Sequence, residues 1–179
     1  LGKKTFLLPF LKRNNFFFFK QNFNKKFYSK KINTILSKNY LSEIWLLAAN
    51  SDIQAGVKST NRDLKLTFLI TYNILECMRK YNVGKILFTS SPTVFGNHDK
   101  SLTEDLPMKP ESLYGASKLA SEAYIRGFTS LYNIQSWILR LSNMVGERAT
   151  HGILYDFFNK IKNNPDELIV LGDGNQCKP

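Results

Sequence analysis

Residues Lys85–Lys118 read KILFTSSPTVFGNHDKSLTEDLPMKPESLYGASK, and this stretch decides how the chain folds and where its chemistry lies. It opens as a buried strand: Ile86, Leu87 and Phe88 form an apolar run that leads directly into three hydroxyls, Thr89, Ser90 and Ser91. A polar loop punctuated by Gly96, Pro107 and Pro110 follows. The chain then restarts as a helix in which Tyr114 and Lys118, four residues apart, share one face. A tyrosine titrates near ~10 in water, so it acts as a base near neutral pH only when positive charge stabilises its phenolate. A lysine one turn away supplies such charge, and a serine hydroxyl from the strand end can hydrogen-bond the same substrate oxygen. Ser, Tyr and Lys so arranged make a site for taking the proton from an alcohol. YxxxK alone arises by chance on many helices; the specificity lies in its combination with the Ser-Ser strand end upstream.

The flanking sequence supplies the scaffold. EIWLLAANSD, from Glu43, has the profile of a central parallel strand, apolar throughout because helices cover both faces, and it ends in the small residues Ala48 and Ala49. Asn61 to Lys80 reads as an amphipathic crossover helix with Leu64, Phe68, Thr71, Leu75 and Met78 turned inward and Cys77 on or beside that face. Right-handed crossover then sets the 85–91 strand beside the 43–49 strand. The helix bearing Tyr114 is expected to bury Leu119 or Ala120, Ala123, Tyr124, Phe128 and Leu131. A buried strand from Ser136 to Leu141, a helix from His151 to Asn163 and a short strand from Leu168 to Leu171 follow. The pattern is α/β, with a parallel sheet and flanking helices.

A length of 179 residues suits one domain with a sizeable core, and 43% hydrophobic composition is that of an ordinary globule. The net charge of +11 is concentrated at one end: residues 1–40 hold ten Lys/Arg and no Asp/Glu, and the remainder holds fifteen against fourteen. Such a basic, Phe- and Asn-rich segment could bind nucleic acid or an anionic membrane, or serve as a targeting leader. Its apolar runs are too broken to span a bilayer. Compositional bias at a truncated or degenerate N-terminus is the preferred reading, in keeping with Leu as the first residue, and no nucleic-acid partner is expected. His98 and His151 are the only histidines and Cys77 and Cys177 the only cysteines, with no zinc spacing among them and therefore no metal expected. Two distant cysteines and no signal peptide point to the reducing cytoplasm.

SSPTVFG followed by YGASK resembles the active-site signature of the extended short-chain dehydrogenases/reductases, the NAD-dependent epimerase/dehydratase family that includes UDP-glucose 4-epimerase. The resemblance runs from about Asn22 to Pro179. It implies a Rossmann-like sheet, incomplete at the N-terminus and in the C-terminal substrate lobe. The corresponding division is a degenerate segment 1–40, a partial NAD-binding domain with the active site 41–145, and the start of a substrate-binding region 146–179. By the same resemblance, Ser91 is the catalytic hydroxyl and substrate contact and Tyr114 the base. Lys118 lowers the tyrosine pKa and holds the nicotinamide ribose. Asn22 falls beside the adenine, Leu47, Ala48 and Ala49 line the NAD, and Thr67 stands where an asparagine usually contacts the cofactor. Asn143, in RLSNMVGER, meets the substrate phosphates, and Lys178, in GDGNQCKP, meets the diphosphate.

The departures are as specific as the matches. Phe95 replaces a tyrosine and Leu46 a histidine of the HLAA-like strand end, and no GxxGxxG turn occurs anywhere in the chain, which implies weak or absent NAD binding by this chain alone. Dehydratases of the family carry an Asp-Glu pair after the active-site hydroxyl. Here Pro92 and Thr93 occupy those places, which favours epimerisation through a keto-sugar. A nucleotide-sugar reductase or dehydrogenase, and a non-catalytic relic keeping only the fold, are the alternatives. A nucleotide sugar, of the UDP class, is the implied substrate and a homodimer the implied assembly.

Overall fold

The computed structural model describes residues 41–98, 101–146 and 152–170, together with Ser37. Three parallel strands form the sheet: β1 (Glu43–Leu46), β2 (Lys85–Ser90) and β3 (Gln135–Arg140), in the order β1-β2-β3. Register runs from Glu43 opposite Lys85 to Leu46 opposite Phe88, and from Lys85 opposite Gln135 to Ser90 opposite Arg140. The first crossover contains α1 (Ile53–Lys58) and α2, a continuous helical stretch made of Asn61–Asp63, a wide π turn Leu64–Phe68, and Leu69–Tyr81. The second contains a 3₁₀ turn (Pro92–Val94) and α3 (Leu113–Tyr132). After β3 comes α4 (Ile153–Asn163), none of whose residues is buried.

Both long helices end the same way, with Tyr-Asn followed by a β-branched residue. Asn82 and Asn133 take the left-handed conformation, with φ of 55° and 53°. Asparagine tolerates that region because its short polar side chain bonds locally, so it can end a helix where glycine often would. The next residues, Val83 and Ile134, are buried and pull the chain into β2 and β3.

One core holds these parts together: Ile70, Ile74, Leu75, Cys77 and Met78 of α2, Ile125 of α3, and Leu46, Ile86 and Phe88 of the sheet. All lie on one side of the sheet. The expectation of a strand covered on both faces is therefore corrected for β1, where Trp45 is 64% exposed while Leu46 is buried. Trp137 and Leu139 of β3 are exposed likewise. The reason is topological. Strand order never reverses within the described residues, and successive right-handed crossovers in one direction put their helices on the same face.

Two further expectations shift. The π turn adds a residue to the helical repeat and rotates the upstream face, so Asp63 and Thr67 are buried in place of Leu64, which is 47% exposed. The expected Thr71, Leu75 and Met78 are buried beyond the turn. On α3 the buried face is Gly115, Ser117, Lys118, Ser121, Glu122 and Ile125, whereas Tyr124 and Leu131 are exposed. Tyr124 instead sets its ring edge-on against Phe68, 4.9 Å between centroids, at the helix–helix margin. Residues 167–170 form no strand, in contrast to the one expected from Leu168.

The N-terminus of α3 is seated closely on the 3₁₀ turn. Ser112 caps it by accepting from the Gly115 N–H at 3.0 Å. A Cβ at Gly115 would lie 2.5 Å from the Thr93 carbonyl oxygen and 3.1 Å from Pro110 Cβ. Because the obstructing atom is backbone, Gly115→Ala should lower unfolding stability by about 1–3 kcal/mol, read as a fall in the urea midpoint. An unchanged midpoint would mean the helix does not sit this near the turn.

Candidate active site

In a parallel sheet every strand points its C-terminus to the same edge, so residues following β1, β2 and β3 are gathered there by topology. Leu47, Ala48 and Ala49 follow β1, Ser91 follows β2 and Asn143 follows β3. Leu47, Ala48 and Asn143 are exposed and Ala49 is half-buried. The small Ala48 and Ala49 leave the backbone of that edge open to a flat ligand. Asn22 and Lys178 lie outside the described residues.

The end of β2 is tied to α3 by three consecutive residues. The Thr89 carbonyl accepts from Lys118 Nζ at 2.5 Å. Ser90 Oγ donates to Glu122 Oε1 at 2.5 Å. Ser91 turns its hydroxyl the other way, accepting from the Thr93 N–H at 3.3 Å and from Thr93 Oγ1 at 3.0 Å, and it is near enough to Tyr114 to act on the ionisation of the phenol. Ser91, Tyr114 and Lys118 are thus brought to one place. Tyr114 is half-buried and Lys118 is 2% exposed, its ammonium 4.8 Å from the Phe88 ring centroid and 5.8 Å from that of Tyr114.

The electrostatics differ from the simple expectation. Burial raises the Tyr114 phenol above its ordinary value, the Ser91 hydroxyl pulls it partly back, and the Asp63 charge raises it further. The Lys118 pKa is in turn lowered to about 8, chiefly by burial, against which Glu122 holds it up. With one ammonium N–H spent on Thr89, two donors remain for a ligand.

Thr67 is not brought to the open edge. It is fully buried, and its hydroxyl accepts from the Asn50 N–H at 3.1 Å. The π turn directs it into a polar cluster in which Asn50 Nδ2 donates to Asp63 Oδ1 at 2.7 Å and to the Asp52 carbonyl at 2.8 Å. The cluster pins the loop after β1 onto α2. Phe95, which replaces the family's tyrosine, is buried with the Arg140 guanidinium 4.9 Å from its ring centroid.

The sequence reading also passed over Glu122. Its side chain is fully buried, and Arg140 grips it through Nε at 3.1 Å and Nη2 at 2.8 Å, with Arg126 at 3.4 Å. The available signal was its position one turn beyond Lys118 on the same face. Among the described residues no three His, Cys, Asp or Glu could hold a metal, and no helix is long and apolar enough to cross a membrane.

Fold and site together define a Rossmann-like parallel α/β protein with a Ser-Tyr-Lys constellation at the C-terminal edge of its sheet. The chain belongs to the NAD dependent epimerase/dehydratase family, whose profile residues 26–179 match. It is 39% identical over 137 residues to a protein of Methanocaldococcus jannaschii provisionally named UDP-glucose 4-epimerase, covering 73% of this chain and 45% of the relative. It is 30% identical over 146 residues to the dTDP-4-dehydro-6-deoxyglucose reductase of Escherichia coli, covering 78% of this chain and 46% of the relative. The crystal structure of the Thermus thermophilus UDP-glucose 4-epimerase complex with NAD superposes with a TM-score of 0.70 at 26% identity, covering 78% of this chain and 45% of that one. The chain spans somewhat under half the length of these relatives.

The buried ammonium has a measurable consequence. A lysine pKa depressed from 10.5 to about 8 means that the folded state disfavours the charged form. That penalty is full below pH 8 and vanishes above 10.5, so the Lys118 contribution to stability improves as pH rises through this window. Lys118→Met lacks the ionisation. Its stability relative to the parent should fall by up to about 3 kcal/mol between pH 7.5 and 10.5, measured by urea unfolding across a pH series. Cys77, raised to about 11 by burial, changes stability in the opposite direction in both proteins and cancels in the difference. A pH-independent difference would mean that Lys118 is solvated.

Proposed function

We propose that the protein is an NAD-dependent nucleotide-sugar epimerase of the UDP-glucose 4-epimerase type. The observation that carries the reading is the meeting of Ser91, Tyr114 and Lys118 at the end of β2. When bound, NAD supplies the hydride acceptor and a cationic ring. Tyr114 takes the proton from a sugar hydroxyl, Ser91 hydrogen-bonds the same oxygen, and Lys118 donates to the ribose with the N–H groups that Thr89 leaves free. With the cofactor bound, Tyr114 would hold the hydroxyl proton while the carbinol is oxidised to the ketone by the hydride acceptor, and would give it back when hydride is returned to the opposite face of the turned sugar. A cationic ring near the phenol would counter the upward push of burial on Tyr114.

Pro92 and Thr93 favour epimerisation over dehydration, because no carboxylate follows Ser91 to drive loss of water. Ala48 and Ala49 fit the nicotinamide end of the cofactor, with Leu47 beside them and Asn22 proposed at the adenine. Asn143 and Lys178 are proposed for the phosphates of a UDP-sugar. Thr67, with its hydroxyl on Asn50, serves the loop that frames this edge. The homodimer is proposed on the exposed aromatic margin of α2 and α3, Tyr72 and Tyr124, and the cytoplasm as the setting. A reductase reading rests on the 30% identity to the dTDP-4-dehydro-6-deoxyglucose reductase.

Joined to a βαβ unit that supplies the glycine-rich turn these 179 residues lack, the chain incubated with NAD and UDP-galactose should yield UDP-glucose, resolved by chromatography, and Tyr114→Phe should lower the rate by at least about 10²-fold. Net NADH oxidation with a keto-sugar substrate and no epimer would support the reductase instead. No hydride transfer to or from any nucleotide sugar would leave a protein that keeps only the fold.

A further inference from the structure

We infer that Glu122 is a positioning residue for the Ser91, Tyr114 and Lys118 constellation, holding the C-terminal end of β2 against α3 through Ser90. The inference rests on the reading of those three residues as the reacting groups. The geometry is specific. Thr89, Ser90 and Ser91 are consecutive; the first receives Lys118 through its carbonyl and the last carries the hydroxyl that meets Tyr114. The middle residue's side chain crosses to α3, at 2.5 Å on Glu122, whereas Thr89 Oγ1 turns to the Leu46 carbonyl of β1 at 3.5 Å and Ser91 Oγ is held by Thr93. Glu122 is in turn fixed from β3, where Arg140 approaches both of its oxygens, at 3.1 and 2.8 Å. Arg140 itself is set by the Phe95 ring and by Met108 Sδ, 3.4 Å from Nη2. One carboxylate therefore joins β2, β3 and α3 within one residue of the candidate hydroxyl and one turn of the lysine.

A buried ion pair adds little net stability when compared with well-packed apolar residues, although removing one partner is costly. What the Glu122 pair does supply is direction. A carboxylate gripped by a guanidinium fork has its lone pairs oriented, and the remaining acceptor site lies where Ser90 must stand. If that hydroxyl is released, the strand end can move away from α3 and the Thr89 carbonyl with it. The charged and titratable groups concerned are Tyr114, Glu122 and Arg126 on α3, Arg140 on β3 and Asp63 on α2, the last acting on Tyr114.

The test reads the titration midpoint of Lys118 by NMR of isotopically labelled lysine in the 179-residue chain, with its resonance identified by loss in Lys118→Arg. Neither cofactor nor substrate is present, so the outcome is independent of whether the protein turns over a nucleotide sugar. Ser90→Ala keeps the Glu122 charge and removes only the link. Loss of the Thr89 bond to the ammonium should lower the Lys118 midpoint by roughly one unit. Glu122→Gln removes the charge and weakens the anchor, because its single amide oxygen cannot meet Ser90 and both Arg140 donors; it should lower the midpoint at least as far, while Glu122→Asp should restore much of the parent value. A fall in Glu122→Gln with Ser90→Ala at the parent value would reduce Glu122 to a charge acting through space and overturn the proposal. Should Glu122→Gln not fold, Ser90→Ala decides alone: a lowered midpoint supports the positioning role and an unchanged one refutes it.

Discussion

The architecture depends on taking one ammonium out of water. Lys118 is almost wholly enclosed, and an enclosed charge survives only where hydrogen bonds and opposite charge replace its hydration. The replacements are the Thr89 carbonyl, the face of Phe88 and the carboxylate one turn along the helix. Each of these fixes a different element. The carbonyl fixes the end of β2, the ring fixes the core beneath it, and the carboxylate brings in β3 through Arg140. Satisfying the charge and assembling the strand ends are one and the same packing problem.

This explains why the inner face of α3 is polar. Ser117 and Ser121 are buried but spend their hydroxyls on backbone carbonyls, those of Tyr114 and Ser117, so they pack as small, satisfied residues. The face is narrow enough for the helix to approach the sheet closely, and Ile125 restores apolar contact one turn further on. Tyr124 is displaced to the margin of α3, where it meets Phe68 and Tyr72 of α2 edge-on, while Phe128 packs against the core. The sheet face opposite the two helices shows the same economy of coverage: Trp45, Trp137 and Leu139 remain in the open because two crossovers of one hand and one direction can clothe only one side.

How much of this was legible in the sequence follows from what sets each feature. The parallel order of β1 and β2, the crossover helix between them and the meeting of Ser91, Tyr114 and Lys118 depend on strand ends, helical spacing and handedness, which are local or topological rules. Hydrophobicity is a poor guide to the inner face of α3: of the expected residues Phe128 packs against the core, but Lys118, Glu122, Ser117 and Ser121 are buried there beside Gly115 and Ile125. Thr67 was misplaced because a π turn adds a residue to the repeat, and nothing in LKLTF announces an i to i+5 bond. Glu122 escaped notice because its partners, Ser90 and Arg140, are 32 and 18 residues away. Only the folded sheet brings them together.

The separation of the two candidate hydroxyls is set by a feature that contains neither. Thr93 donates from both its amide and its hydroxyl to Ser91, and its carbonyl is the surface on which Gly115 rests, next to Tyr114. One residue therefore positions the serine from one side and the helix carrying the phenol from the other. Pro92 suits the first place of this turn, since its fixed φ favours the conformation and the missing N–H would have no partner inside the turn. A carboxylate in place of Thr93 could accept but not donate, so it would turn a donor toward Ser91 into a competitor for the serine proton. The Pro-Thr pair is thus the mechanical spacer between Ser91 and Tyr114, and exchanging it for an acidic pair would alter the placement of the two hydroxyls.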